Sequence, residues 1–333
     1  MNIIVGDIGG TKTILAVFSS EGGPRKPLVQ MTFPSTHYES LEDIITEFLA
    51  AVNLPVNAAC FAVAGPVLNG RAQITNLPWV IDDAMLQSTF NLSAVSLLND
   101  LESVAYAVPI LEPKDIHTLN EGVPIPRGSI GVVAPGTGLG EAYMTYENGK
   151  YVAHASEGSH ASFAPVGKLQ IDLLIYLNQH GHHHVSVERV CSGRLGIPNL
   201  YNFLKDTGVA AEPAWLAESL AASEDPTPII FAAAQDTTQP CEIASITLDL
   251  FVSILGAEAG NLALKVLSTG GIYLGGGISP RILPYLEKPF FSAALRKKGR
   301  FESMLAEMPV HVITNPEAGL LGAAAYGLAL STS

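Results

Sequence analysis

The sequence predicts a two-domain α/β protein in which each domain is built on a mixed β-sheet. Its 333 residues are many for a single hydrophobic core. Strand-like and helix-like segments alternate along the chain. One local pattern, an apolar run, a glycine turn and a second apolar run, occurs at residues 3–18 and again at 129–146. We therefore predict two related halves that each begin with a strand–glycine turn–strand unit.

The first half reads as three hairpin-type strands followed by alternating helices and strands. Apolar residues recur at helical spacing between Leu41 and Val52, behind a capping-box-like start at Ser40 and Asp43. The predicted elements are strands within 3–18 and at 28–33, a helix at 41–52, a strand at 59–64, a helix at 82–90, a strand ending at Asn99-Asp100, and a helix at 101–108.

The second half begins after a stretch, residues 112–128, that proline and glycine interrupt repeatedly. This composition predicts a junction between domains. The predicted elements beyond it are strands at 129–135, 142–146 and 151–155, helices at 169–179 and 242–267, strands at 271–274 and 309–313, and a C-terminal helix begun by Asn315-Pro316-Glu317.

The net charge of −13 argues against a surface for nucleic acid or an anionic membrane, and we expect neither partner. The three cysteines, Cys60, Cys191 and Cys241, match neither a disulfide framework nor a zinc pattern, which indicates a reducing cytoplasm. The N-terminus lacks the pattern of a signal peptide, and the most apolar stretch, 318–330, is too short to span a bilayer.

Two glycine turns, Gly6–Thr11 and Gly136–Gly140, are candidate phosphate sites. A lone turn of this kind is more often an ordinary hairpin turn. Two of them opening two halves, with a third at Gly275–Gly277, favour phosphate binding, because glycine lets backbone N–H groups approach an anion. Asp7 fits as a ligand, direct or through water, of the Mg²⁺ that accompanies nucleotide phosphates.

The strand that ends in Asn99-Asp100 places an amide and a carboxylate where open α/β sheets bind their ligands. In isolation such a pair is most often an N-cap and turn, and Asp100 is itself a candidate cap of the helix that follows. Glu188 alone would be a solvated helix residue, and His160 alone a structural histidine. Only the presence of these residues together favours function.

Taken together and in order, the motifs resemble those of the bacterial glucokinase family, within the actin–hexokinase–heat-shock ATPase superfamily. The resemblance covers nearly the whole chain. The motifs are Gly6-Asp7-Ile8-Gly9-Gly10-Thr11, Leu98-Asn99-Asp100, Gly136-Thr137-Gly138-Leu139-Gly140, Glu157-Gly158-Ser159-His160, Val187-Glu188-Arg189-Val190 with Ser192-Gly193, and Gly275-Gly276-Gly277-Ile278-Ser279-Pro280-Arg281.

The resemblance implies a two-domain ribonuclease H-like fold of the actin/hexokinase type, with an interdomain cleft. We expect a small domain, residues 1–110 plus 316–333, and a large domain, residues 111–315. It also implies a cytoplasmic glycolytic homodimer that uses ATP with Mg²⁺ to phosphorylate glucose. Asp100 would be the general base for the 6-hydroxyl, and Asp7 would hold the Mg²⁺, directly or through water. The implied sugar-binding residues are Asn99, Asp100, Glu157, His160 and Glu188. The implied ATP-binding residues are Gly6, Asp7, Ile8, Gly9, Gly10, Thr11, Gly136, Thr137, Gly138, Gly276 and Gly277.

The sequence departs from the family pattern at Lys12, where asparagine is frequent, at Ser159, where glycine is frequent, and at Glu141, a carboxylate directly after the second glycine turn. The alternatives are a kinase of another hexose or amino sugar, polyphosphate as donor, a non-catalytic sugar-sensing protein of the same fold, and a filament-forming or chaperone ATPase. The His180–His184 cluster has no cysteine or carboxylate at a ligand spacing, so we expect no metal site there.

Overall fold

The computed structural model describes residues 1–74 and 77–330. Its contacts divide the chain into two compact units, each with its own β-sheet. The first unit contains Met1–Asp115, Glu147–Ala155 and Asn315–Ser333, of which 331–333 lie outside the described residues. The second contains Ile116–Tyr146 and Ser156–Thr314. The sequence-based prediction placed residues 111–115, 147–155 and 315, which belong to this first unit, in the large domain.

The first unit is organised around a five-stranded mixed sheet with the strand order β3-β2-β1-β4-β8. The hairpin strands are antiparallel to one another, whereas β4 and β8 continue the sheet parallel to β1. The strands are β1 (Asn2–Ile8), β2 (Lys12–Ser19), β3 (Val29–Pro34), β4 (Ala58–Val63) and β8 (Ala94–Asn99). A separate antiparallel sheet contains β5 (Val67–Leu68), β6 (Arg71–Gln73) and β7 (Val80–Asp82).

Two hydrophobic layers cover the main sheet of the first unit. One face packs on α1, whose Ile44, Ile45 and Phe48 are fully buried. The other packs on the C-terminal helix, which also contacts α3 closely. The helices of this unit are α1 (Leu41–Val52), α2 (Asp83–Thr89), α3 (Asp100–Ala107) and α12 (Ala318–Leu330).

The strands of the second unit pair in the same pattern as those of the first. Strand β10 pairs antiparallel with β11 and parallel with β13, and β13 pairs parallel with β14. Its strands are β9 (Ile116–Asn120), β10 (Ile130–Pro135), β11 (Leu139–Glu147), β13 (Gly271–Leu274) and β14 (Val310–Ile313), while β12 (Lys150–Ser156) falls almost entirely in the first unit. Two strands joined by a glycine turn therefore open both sheets, as the sequence predicts.

The helices of the second unit form a large core around α8. They are α4 (Gly167–Gln179), α5 (Gly196–Asp206), α6 (Ala214–Ala221), α7 (Thr227–Gln235), α8 (Glu242–Val266), α9 (Leu283–Leu286), α10 (Pro289–Arg296) and α11 (Glu302–Ala306). Helix α8 is long and apolar enough to cross a bilayer, but 78% of its most apolar window is buried, as in a core helix. Gly256 and Gly260 let α8 approach the backbone of α10, where a Cβ would meet Phe291 and Leu295.

Two expectations from the sequence are corrected. The stretch 112–128 is not only a junction, because β9 lies within it and pairs antiparallel with β14. The C-terminal helix begins regularly at Ala318 rather than at residues 315–317. Asn315 still acts near its start, since its side-chain oxygen accepts the Glu317 N–H at 2.9 Å.

Candidate active site

The carboxyl ends of the three parallel strands of the first unit meet at one edge of the sheet. Ile8 of β1 is in register with Val63 of β4, and Val63 is in register with Asn99 of β8. The first glycine turn follows β1 at this edge, and Asp100 follows β8. The sheet thus brings Asp7, Asn99 and Asp100 together, as expected of an α/β ligand site.

The first glycine turn is tight and is anchored from the side by Ser35. Gly9 donates its N–H to the Lys12 carbonyl at 3.0 Å, and Ser35 Oγ donates to the Gly9 carbonyl at 2.8 Å. Ser35 also donates its N–H to the Thr11 carbonyl at 3.0 Å. Gly9 and Gly10 of the candidate phosphate loop are half-buried, and Thr11 is exposed. The sequence carries no signal for the role of Ser35.

Gly6 and Ile8, both predicted to bind ATP, lie within β1 and are buried. A side chain at Gly6 would come within 2.7 Å of the Phe61 ring and 2.8 Å of Leu15. Close packing inside the sheet therefore accounts for the glycine at position 6. The role of Gly6 and Ile8 in nucleotide binding stays a prediction.

Asp7 is a half-buried carboxylate that accepts no hydrogen bond from the part of the chain that the structure describes. It faces the first turn of α12, since a Cβ at Gly319 would lie 3.3 Å from its Oδ2. Burial raises the pKa of Asp7, Lys12 opposes that rise, and Glu317 adds to it. The free carboxylate oxygens of Asp7, with the Glu317 carboxylate nearby, suit a hard cation such as Mg²⁺. Most of the other ligands of such a cation would be substrate oxygens and water.

The helix cap at the end of β8 is Asn99, and the expectation that Asp100 caps α3 is wrong. Asn99 Oδ1 accepts the N–H groups of Leu101 at 2.9 Å and Glu102 at 3.3 Å. Its Nδ2 donates to the Gly65 carbonyl at 3.0 Å. Asp100 is the first helical residue instead, which leaves its carboxylate less committed to the backbone than a cap would be.

Asp100 has the electrostatic character of a general base. Burial raises the pKa of Asp100 to about 6, the nearby Asp7 carboxylate adds to the rise, and hydrogen bonds from Leu101 and Asn99 oppose it. The Leu101 N–H donates to Asp100 Oδ1 at 2.9 Å. A carboxylate with a pKa nearer neutrality accepts a proton more readily than an ordinary aspartate does.

The second glycine turn joins β10 to β11, and the segment before α5 holds it in place. The Gly193 N–H donates to the Gly136 carbonyl at 2.8 Å, and the Arg194 N–H donates to the Thr137 carbonyl at 3.1 Å. The third turn follows β13 at the same edge, where Ile278 donates its N–H to the Pro135 carbonyl at 3.2 Å. The second and third candidate phosphate turns are therefore neighbours.

Gly276 of the third turn has a φ of +74°, and a Cβ there would collide with the Pro135 carbonyl. Gly277 beside it has open space around its Cα. The fold therefore excludes a side chain at position 276. At Gly277 there is room for a ligand to approach the backbone.

Glu188 contacts the second glycine turn directly. Its Oε2 accepts the Leu139 N–H at 3.1 Å, and a Cβ at Gly138 would lie 2.7 Å from the same oxygen. The Glu188 N–H donates to the Ser159 carbonyl at 2.9 Å. One glutamate thus ties the glycine turn to the segment that carries Glu157 and His160.

Glu157 and His160 flank a short 3₁₀ turn and have exposed side chains, 68% and 57% accessible. His160 Nε2 lies 3.6 Å from Glu157 Oε2, and the His160 N–H donates to the Glu157 carbonyl at 3.0 Å. The ring of His184 contacts the His160 carbonyl through Nε2 at 3.0 Å. Within the second unit, the structure therefore assembles Glu157, His160 and Glu188 around one turn.

The histidine cluster has roles in local packing. His180 ends α4 and stacks on Tyr176 with ring centroids 4.0 Å apart. Among residues 1–74 and 77–330, no group of three or more His, Cys, Asp or Glu side chains is arranged to hold a metal ion. The same described residues contain three buried free thiols, Cys60, Cys191 and Cys241.

Comparison with known proteins agrees with the fold and with these motifs. The sequence profile of the family described as Glucokinase matches residues 4–329. A glucokinase from Nostoc punctiforme is 39% identical, and the match covers 97% of each chain. The crystal structure of a glucokinase from an Antarctic psychrotroph is 31% identical with a TM-score of 0.84, covering 100% of this chain and 99% of that one.

A more distant structure shares the fold alone. A ROK family glucokinase from Streptomyces griseus, in complex with glucose and AMPPNP, has a TM-score of 0.62 at 22% identity, over 98% of this chain and 99% of that one.

The duplicated mixed sheets, the glycine turns and these relatives define the class of protein, a two-domain sugar kinase of the hexokinase type. Within that class, the chain belongs to the glucokinase family. The resemblance inferred from the motifs and the predicted fold class are both confirmed.

Proposed function

We propose that this protein transfers the γ-phosphoryl group of ATP to the 6-hydroxyl of glucose, giving glucose 6-phosphate and ADP. The observation that carries the proposal is the sheet edge where Asp100, with a pKa raised to about 6, follows β8 beside the first glycine turn. Family membership supplies the reaction class, and the chemistry of the site supplies the roles of the residues.

Asp100 would accept the proton of the 6-hydroxyl as its oxygen bonds to the γ-phosphorus and the bond to the β-phosphate oxygen breaks. The Leu101 N–H and the Asn99 cap would hold the carboxylate in place. Phosphoryl transfer otherwise needs positioning and charge stabilisation, which the N–H groups of Gly9–Thr11, Gly136–Gly138 and Gly276–Gly277 could supply.

The free carboxylate of Asp7 fits Mg²⁺, directly or through water, because Mg²⁺ bound to nucleotide phosphates usually takes only one or two protein carboxylates. When bound, the ion would neutralise charge on the phosphate oxygens. Asp7 would hold that ion beside the phosphate loop.

Glucose is a ring of hydroxyl groups that each donate and accept hydrogen bonds. Asn99, Asp100, Glu157, His160 and Glu188 offer amide, carboxylate and imidazole groups of the types that bind such hydroxyls. A site that hydrogen-bonds each hydroxyl penalises a sugar that lacks one of them. We further propose that the protein acts in the cytoplasm, in glycolysis, and as a homodimer.

The substitution Asp100→Asn tests the assignment of the base. The amide keeps the shape and the acceptor for the Leu101 N–H, so glucose affinity measured by calorimetry should change little. The value of kcat should fall by roughly two to four orders of magnitude, the usual scale for a lost general base. Because the substitution also removes a buried charge beside Asp7, the variant should melt no lower than the wild type at pH 7.5. Near-normal kcat would refute the role of Asp100.

A further inference from the structure

A buried carboxyl pair in the second unit has no role in the proposed mechanism. Glu141 of β11 and Glu258 of α8 are 2% and 4% exposed, and their carboxyl groups lie close enough for the Glu258 charge and a hydrogen bond with Glu258 to raise the pKa of Glu141. The remaining Oε1 atoms of both have no hydrogen-bond partner among the residues described. Two carboxyl groups can share a hydrogen bond only when one of them carries a proton. The pair therefore holds one proton and one negative charge.

Positively charged and polar groups surround the Glu258 carboxyl group. On α8, Lys265 Nζ lies 3.6 Å from Glu258 Oε1, and Asn261 Nδ2 donates to Glu258 Oε2 at 2.9 Å. Lys298, after α10, donates to Asn261 Oδ1 at 2.5 Å and is attracted by Glu258. The cations near the pair therefore lie on the side of Glu258 rather than Glu141.

Two further observations agree with a protonated Glu141. Burial, followed by the Glu258 charge and the hydrogen bond to Glu258, raises the pKa of Glu141 to about 7, while Lys265 opposes the rise. The Cys191 thiol faces the pair from the segment before α5, and its pKa is raised by burial and by both glutamates, so it stays neutral. Glu141 is therefore the group of this cluster that titrates near neutral pH.

The pair supports the turn that carries Glu157 and His160. A Cβ at Gly158 would collide with Glu141 Oε2 and would lie 3.0 Å from Ser156 Oγ. Ser156 Oγ in turn accepts the Gly158 N–H at 3.0 Å. The backbone of the turn thus rests directly on the carboxyl group of Glu141. Two residues earlier on the same strand, the Leu139 N–H donates to Glu188.

We propose that Glu141, paired with Glu258, is a positioning residue for the turn that presents Glu157 and His160 to the sugar. The inference rests on the proposed function, because it assumes that this turn binds glucose. With one shared proton the pair is a compact hydrogen-bonded support. When the proton is lost, two buried carboxylates repel each other at the back of Gly158, and the turn must shift.

The sign of the pH effect follows from this arrangement. Glu141 is protonated below about pH 7, so the supported turn dominates in mildly acidic and neutral solution and is lost as the pH rises. If only the supported form binds glucose well, apparent affinity scales with its population. The KM for glucose should then rise by about tenfold between pH 6 and pH 8. The value of kcat, set by Asp100 and the phosphates, should change by less than about threefold over the same range.

The test compares the pH dependence of KM for glucose in the wild type and in Glu141→Gln, at saturating ATP and Mg²⁺. Glutamine keeps a donor to Glu258 and cannot ionise, so its KM should stay flat where that of the wild type rises. Glu258→Gln should also abolish the rise, because it removes the like charge. Glu287→Gln, which removes an exposed charge of the same unit, is the matched control and should keep the wild-type profile.

The outcomes separate the inference from the proposed function. A wild type that phosphorylates glucose at pH 6.5 but shows no rise in KM refutes the positioning role alone. The positioning role is also refuted if the Glu141→Gln variant has the melting temperature of the wild type and its KM still rises with pH. A wild type that neither binds nor phosphorylates glucose at pH 6.5 refutes the proposed function and this inference with it.

Discussion

Asp100 lies where burial and the Asp7 carboxylate both oppose its ionisation, which suits the role of general base that we propose for it. The residue type and its place after a strand could be predicted from the sequence. Which of the two residues, Asn99 or Asp100, caps the helix could not be predicted, because asparagine and aspartate are both good N-caps. The structure separates them, with Asn99 capping α3 and Asp100 free to take a proton.

The raised pKa of Asp100 gives a pH dependence with a defined sign. A general base acts when ionised, so kcat at saturating glucose should be constant well above pH 6 and fall as the pH drops through that value. The fall should approach tenfold per pH unit. An ordinary aspartate would keep the enzyme fully active to about pH 5. A pH–rate profile at fixed ionic strength measures the difference, and full activity at pH 5 would contradict the assigned environment.

Other residues of the site were beyond prediction because their partners are remote in the sequence. Glu141 could be recognised in the sequence as an unusual carboxylate beside a glycine turn. Its interaction with Glu258 of α8, which raises the pKa of Glu141, could not be predicted. Ser35, which holds the first glycine turn, carries no local signal at all. Gly6 belongs to a phosphate motif by pattern, yet packing against Phe61 is sufficient reason for its glycine.

Among the secondary-structure elements, the two glycine hairpins were the most predictable, since apolar runs on both sides of a short turn are a local signal. The short strands were not. Strand β9 lies in a proline-rich stretch and exists through its pairing with β14, and β5, β6 and β7 have two or three residues each. Such short segments form strands because they pair with other strands of the sheet, not because of a local sequence pattern.

The helix pair α3 and α12 gives a prediction for stability. Ser103 Oγ donates to the Gly319 carbonyl at 2.7 Å, and a Cβ at Gly322 would overlap the Ser103 carbonyl. Gly322→Ala should therefore force the helices apart and cost about 1–3 kcal/mol of unfolding free energy. Gly22→Ala, in a surface turn with negative φ, should leave Tm nearly unchanged. Equal melting temperatures for both variants would show that the contact is not tight.

At the scale of the whole molecule, the repeated glycine hairpin predicted the duplicated architecture, and the two sheets confirm it. Strand orders and parallel pairings are set by contacts between segments far apart in the chain, which no local pattern contains. The resemblance to glucokinases supplied that long-range information, and the family match over residues 4–329 supports it. The roles of the individual site residues stay predictions.

The most direct test of the whole account is a coupled assay with ATP, Mg²⁺ and a panel of hexoses. The chain should form glucose 6-phosphate with one ADP per sugar phosphate, and glucose should have the highest kcat/KM. Without a hexose, ADP formation should be weak, because the proton acceptor Asp100 acts on the sugar hydroxyl. A far higher kcat/KM for mannose, glucosamine or an N-acetyl sugar would contradict glucose as the substrate. ATP hydrolysis at full rate without sugar, or tight sugar binding with no sugar phosphate formed, would contradict a kinase altogether.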